Sequence, residues 1–150
     1  MYEIINYVFT ELQADTTLQG LFGGTVPVYH FAAEPDTSPP FLVMEMNHHV
    51  VHGPWGFENG DMTIHVWTSG ARALLMYQIR DSIVRLLERR YYPEIAGLEA
   101  VRFRKTFESS VPAAGERNSA PNTLERIHHR VIKFGVRWCS KKDIDAVLGR

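Results

Sequence analysis

At 150 residues the chain is the size of one domain and can bury a core without disulfide or metal staples. Hydrophobic residues at 45% and charged residues at 22% exclude wholesale disorder, and no apolar run approaches the roughly twenty residues of a membrane helix. Sixteen Lys and Arg against seventeen Asp and Glu leave a formal charge of -1, which gives nucleic-acid phosphates no global attraction. The single cysteine, Cys139, excludes an intrachain disulfide and a multi-thiolate metal site, and fits a reducing cytosol.

Tyr2 to about Gln13 places Ile4, Ile5, Val8, Phe9 and Leu12 on one helical face. Glu3 and Glu11 lie in this stretch and no basic leader precedes it, so we expect a first helix and no signal peptide. Asp15 or Thr16 is expected to cap a short second turn ended by Gly23 and Gly24. Val26 to Phe31 is a short strand that Pro27 confines to an edge or a strand start. The loop from Glu34 to Pro40 leads into a strand, Phe41 to Val51, whose expected partner begins at Asp61.

From Asp61 to Glu88 a strand pattern gives way to a long amphipathic helix. Met62, Ile64 and Val66 alternate with Thr63, His65 and Trp67, the period of a strand with one face on a core. Thr68 or Ser69 is expected to cap the helix and Gly70 to allow the corner. Leu75, Ile79, Ile83 and Leu86 then form a stripe widened by Leu74, Val84 and Leu87. A strand is expected from about Ala100 to Ser109, with Val101, Phe103 and Phe107 on one face. The last strand, Leu124 to Trp138, changes apolar parity near Val131, where a bulge would exchange its faces. The summed order predicts an α+β domain over residues 1–138: a mainly antiparallel sheet covered on one face by a long helix at about 70–90 and an N-terminal helix. Residues 139–150 are expected to form a tail or short helix.

Taken together, LQGLFGG at Leu18 to Gly24, PPFLVMEM at Pro39 to Met46, MTIHVWTSGARALLMYQIRDSIVRLLE from Met62 and IHHRVIKFGVRW at Ile127 to Trp138 resemble the tail completion, or tail terminator, proteins of long-tailed bacteriophages. These stretches span most of residues 1–138. The family is also called minor tail or tail-to-head joining proteins. The resemblance implies a small α+β subunit that closes into a ring, usually a hexamer, capping the head-proximal end of the tail tube and docking on the head connector. It implies a virion location in the tail or neck, assembly in the host cytoplasm, DNA met only in passage, and no membrane partner. The family offers no active-site residues to transfer.

The residues themselves carry little chemistry. His48 with His49, and His128 with His129, are adjacent on strands and point to opposite faces, so neither pair chelates one ion; His49 and His65 are left to meet across paired strands. Ser69 superficially matches a nucleophile elbow but lacks the glycine two residues before it. Gly20, Gly23 and Gly24 precede no GK[ST]. The carboxylates are dispersed, so we expect no enzyme, no cofactor and no metal.

Contacts with partners are expected from the glycine-flanked loop HGPWGFENG, through Pro54, Trp55 and Phe57, and from the turn-rich excursion Pro112 to Asn122, through Arg117 and Asn118. Arg102, Arg104 and Lys105 on one strand and Arg130 and Lys133 on another form a cationic face if the strands are neighbours, either solvated among acidic residues or lining a DNA channel. Two other readings stay open: a different neck component such as a head-closure or stopper protein, and a small-ligand module using a cleft near His65 and Trp67.

Overall fold

The structure is a computed structural model, and it describes residues 1–49, 57–70, 73–88, 95, 97–111, 127–140, 145 and 149. In chain order the elements are α1 (Tyr2–Ala14), α2 (Thr16–Phe22), β1 (Val28–His30), β2 (Phe41–His49), β3 (Phe57–Ser69), α3 (Ala73–Leu87), β4 (Leu98–Val111) and β5 (Ile127–Ser140). The strands form one sheet in the order β1-β2-β3-β5-β4, antiparallel except for the β1/β2 pair. This is the expected α+β architecture. The short strand after Pro27 takes the edge, and β2 and β3 pair as a hairpin from Phe41↔Trp67 to His49↔Asn59.

One face of the sheet packs on the helices. Ile4, Ile5, Val8 and Leu12 of α1 and Met76, Ile79, Ile83, Leu86 and Leu87 of α3 join Leu42, Met44, Ile64, Val66, Ile132, Phe134 and Trp138 in a single core. Each such side chain withdrawn from water stabilises the fold by about 1.5–3 kcal/mol. Asp15 organises the helical corner: its Oδ1 accepts the Leu18 amide hydrogen bond (2.8 Å) and caps α2, while its Oδ2 accepts from Arg85 of α3 (3.1 Å). Gly23, at φ 77°, ends α2 in the left-handed conformation that favours glycine.

Four expectations are corrected by packing. Leu74 is 70% exposed, because the core stripe of α3 starts from Met76 and leaves Leu74 on the outer side. β5 carries no bulge: it pairs with β3 without interruption from Phe57↔Cys139 to Ser69↔Ile127. Val131 is buried on the face opposite the helices, so both parities of that strand are apolar for separate reasons. The irregularities belong to β4, between Glu99 and Arg102, where Ala100 has φ 54°, and between Lys105 and Phe107. The second one turns Phe107 away from the core, and it is 51% exposed. Phe57 is not on a loop tip but is the first residue of β3, paired with Cys139 and half-buried. Thr68 and Ser69 are the last residues of β3, and the Thr68 hydroxyl is buried with no hydrogen-bond partner among the described residues.

Gly60 marks the tightest approach in the sheet. A Cβ there would lie 2.7 Å from the Asn47 carbonyl oxygen and 3.2 Å from the Trp138 ring, whereas one on Gly20, inside α2, would meet nothing within 4 Å. Replacing Gly60 by Ala is therefore expected to destabilise the protein by about 1–3 kcal/mol. Gly20→Ala is expected to be neutral or to stabilise by up to about 1 kcal/mol, because glycine is a poor helix former. Urea denaturation of the two variants checks the contrast in sign.

Candidate functional site: the uncovered sheet face

Because side chains alternate along strands, the register assigns every sheet residue to the helix-covered face or to the open one. No described helix or strand covers the open face, and its residues divide into two groups. One is aromatic. Tyr29, Phe41, Trp67 and His129 lie in neighbouring rows: Tyr29 meets Phe41 edge-on at 6.1 Å, Trp67 is stacked on Phe41 at 5.9 Å, and His129 is stacked on Trp67 at 3.9 Å with 7° between the planes. A groove of about 320 Å³ runs over this area, bordered by Phe31, Phe41, Glu45, His65, Trp67 and His129. Phe31 is 64% exposed and has φ 69°.

His65 and His129 lie beneath the groove, with His65 Nδ1 and His129 Nε2 2.8 Å apart. One imidazole must donate and the other accept, so the contact needs at least one neutral ring. Burial pushes the His65 imidazole below its ordinary pKa against the pull of Glu45, with the charge of Lys133 adding to the fall. Burial, and then the charge of His65, lower His129 as well. His49 instead meets Asp61 at 2.9 Å, so it does not reach His65. Adjacent histidines do face opposite ways: His48 meets Glu58 at 2.7 Å beside Trp138, and His128 Nε2 lies 3.1 Å from the Gly70 carbonyl oxygen. Among the described residues no three His, Cys, Asp or Glu side chains converge on a metal position.

The second group is basic. Arg102 and Arg137 are cross-strand partners, Arg104 pairs with Gly135, and all three border a second open depression of about 320 Å³ with His49, Asp61 and Thr106. The Arg137 guanidinium lies over the Phe57 ring at 4.0 Å, and Lys133 sits 5.9 Å over Phe107. Arg102, Arg104 and Lys133 thus share the open face, whereas Lys105 and Arg130 fall in register with core-facing residues and serve another purpose.

That purpose is Glu108, one of the acidic residues expected among these cations. It faces α3 and receives Arg80 (Nε 2.9 Å, Nη2 2.6 Å), Arg130 and Lys105 (3.3 Å); Arg130 also stacks on Tyr77 at 4.6 Å. The Arg80 hydrogen bonds, aided by Arg130 and Lys105 against the cost of burial, hold the Glu108 carboxyl at about 2, and Arg80 is raised above its ordinary value. Trp55, Pro54, Arg117 and Asn118 lie outside the described residues. No helix among the described residues is long and apolar enough to cross a membrane.

No protein-family model matches the sequence, and no curated protein matches it. The chain shares its fold with part of a solved virion. A chain from the virion of a native gene transfer agent particle superposes with a TM-score of 0.63, over 87% of this chain and 90% of that one, at 16% identity. At that identity the likeness is one of fold.

Two measurements test the site's electrostatics. Glu108→Gln removes the anion that three cations share, and is expected to cost about 3 kcal/mol in urea denaturation. Since its folded pKa is depressed, the stabilisation from Glu108 is full above the ordinary carboxylate value and is lost as pH falls through about 2. The histidine pair depends on pH in the same sense but over a higher range. Both folded pKa values are lowered, so the unfolded chain takes up protons first, and stability falls as pH drops below the ordinary imidazole value of about 6.5. Thermal melts from about pH 7.5 down to 5 are expected to show a shallower decline for His65→Gln/His129→Gln than for the unaltered chain.

Proposed function

We propose that this protein is a structural subunit of a phage-like virion, without chemistry of its own, and that it acts as a tail terminator. In this reading copies of the chain close into a ring, expected to be a hexamer, that caps the tail tube and joins it to the head connector. The observation that carries the virion assignment is the fold likeness to the gene transfer agent virion chain, which spans nearly the whole of both chains. The terminator assignment rests on the resemblance of the four sequence stretches quoted above. A sheet face that no described helix or strand covers, bearing aromatic and arginine groups, suits a subunit whose work is contact with neighbours.

The partners are then further copies of the chain, the tail tube protein and a head-completion or connector protein, with DNA only passing through. Pro54, Trp55, Arg117 and Asn118 remain contact candidates. Phe57 contributes as the platform under Arg137. Of the basic candidates, Arg102, Arg104 and Lys133 are available to a partner or channel, while Lys105 and Arg130 are engaged by Glu108. A stopper or head-closure role is the neighbouring alternative. The groove beside His65 and Trp67 supports a second reading, a small-ligand module.

The test is tube growth. Purified protein added to polymerising tail tubes is expected to halt elongation and to leave a ring at one tube end in negative-stain images. Tubes that elongate unchanged, with no ring at either end, would overturn the terminator reading. A ring found only on the head connector would favour the stopper. Thermal stabilisation by one member of a metabolite panel, which the terminator reading does not predict, would favour the ligand module.

A further inference from the structure

Lysine and arginine are absent from the first 71 residues, which hold eight of the seventeen carboxylates; all sixteen cations lie from Arg72 onward, with the other nine. The fold keeps this division in space. The first part builds α1, α2, β1, β2 and β3, the second builds α3, β4 and β5, and the strand order β1-β2-β3-β5-β4 sets the two parts side by side. The sheet therefore carries all the cations of its strands on β5 and β4 and none on β1, β2 or β3.

Internal pairing leaves the polarity in place. Glu108 neutralises cations within the basic half, and Arg85 to Asp15 joins the two halves. On the basic flank Arg102, Arg104 and Arg137 have no carboxylate at ion-pair distance among the described residues, and Arg102 faces Arg137 across β4 and β5. Such a like-charge pair is unfavourable until an anion arrives. On the acidic flank Glu34 and Asp36 are exposed in the loop after β1. Among the described residues Glu45 reaches only the His65 imidazole, at 3.9 Å.

We infer that copies of this chain associate head to tail, with the Arg102, Arg104 and Arg137 flank of one copy seated against the Glu34, Asp36 and Glu45 flank of the next. A two-fold contact at either edge would set like charge on like, which is costly, whereas a head-to-tail contact satisfies both flanks and repeats. The inference deepens the ring reading and rests on it only for closure of the series. The groove walled by Phe31 and Trp67 borders the acidic flank and supplies apolar area to the same contact.

The experiment compares the full chain with two flank reversals, Arg102→Glu/Arg104→Glu/Arg137→Glu and Glu34→Lys/Asp36→Lys/Glu45→Lys, by native mass spectrometry and sedimentation. The unaltered chain is expected to form oligomers larger than dimers that dissociate as salt is raised, since exposed charges are screened over about 10 Å at 0.1 M. Each reversal alone is expected to stay monomeric. Their equimolar mixture is expected to reassemble, because every contact then pairs opposite charges; recovery in the mixture also shows that the variants are folded. Either reversal keeping the mass of the unaltered oligomer overturns this inference and leaves the ring reading standing. So does a mixture that fails to reassemble from variants whose circular dichroism and melting match the unaltered chain. An unaltered chain that remains monomeric or stops at dimers overturns this inference, and the ring reading is then decided separately by the tube-capping assay.

Discussion

Pairing between β3 and β5 runs unbroken from Phe57↔Cys139 to Ser69↔Ile127, and the remainder of the architecture depends on it. A slip of one residue would exchange the faces of a whole strand. The constraint is strong because both faces are specified. On one side Met62, Ile64 and Val66 meet Phe134, Ile132 and the aliphatic stem of Arg130 beneath the helices; on the other, His65 meets Val131 and Trp67 meets His129. β2 then adds to one flank of this ribbon and β4 to the other, and α3 returns over the face that β3 presents as it ends.

The β3 to α3 stretch was legible in the sequence because both of its periodicities are local. Alternation at Met62, Ile64 and Val66, and helical spacing through Ile79 and Ile83, need no knowledge of the partner. Errors arose where the decisive neighbour is distant. Val131 is out of phase only for a strand buried on one face, and its own row holds Val43 and His65. Phe107 fits the alternation of β4 until an irregularity, set by the opposing strand, turns it outward. Leu74 is next to the core stripe of α3 in sequence but lies on the outer side of the helix.

The candidate surface was legible to a smaller degree. Arg102, Arg104 and Lys133 could be placed together by parity, but Arg130 and Lys105 could not be separated from them, since that depends on Glu108 meeting Arg80 from a helix 28 residues earlier. His65 and His129 are 64 residues apart, and no local signal joins them. The separation of cations from the first half of the chain is, in contrast, plain in the sequence. Its meaning emerges only when the strand order shows that the two halves occupy different sides of one sheet.

The two irregularities in β4 bear on how copies of this protein avoid the wrong kind of association. A 14-residue strand at a sheet edge offers a row of unpaired amides and carbonyls on which another chain can continue the ladder, the route to fibres. Local twisting at Ala100 and near Thr106 breaks that row into short pieces. The opposite edge has only the three residues of β1, entered from Pro27. Neither edge is a good template for backbone extension. In the proposed ring, recognition would then pass through side chains, whose geometry fixes an angle between neighbours, and a fixed angle is what would allow a growing assembly to meet its own beginning and stop.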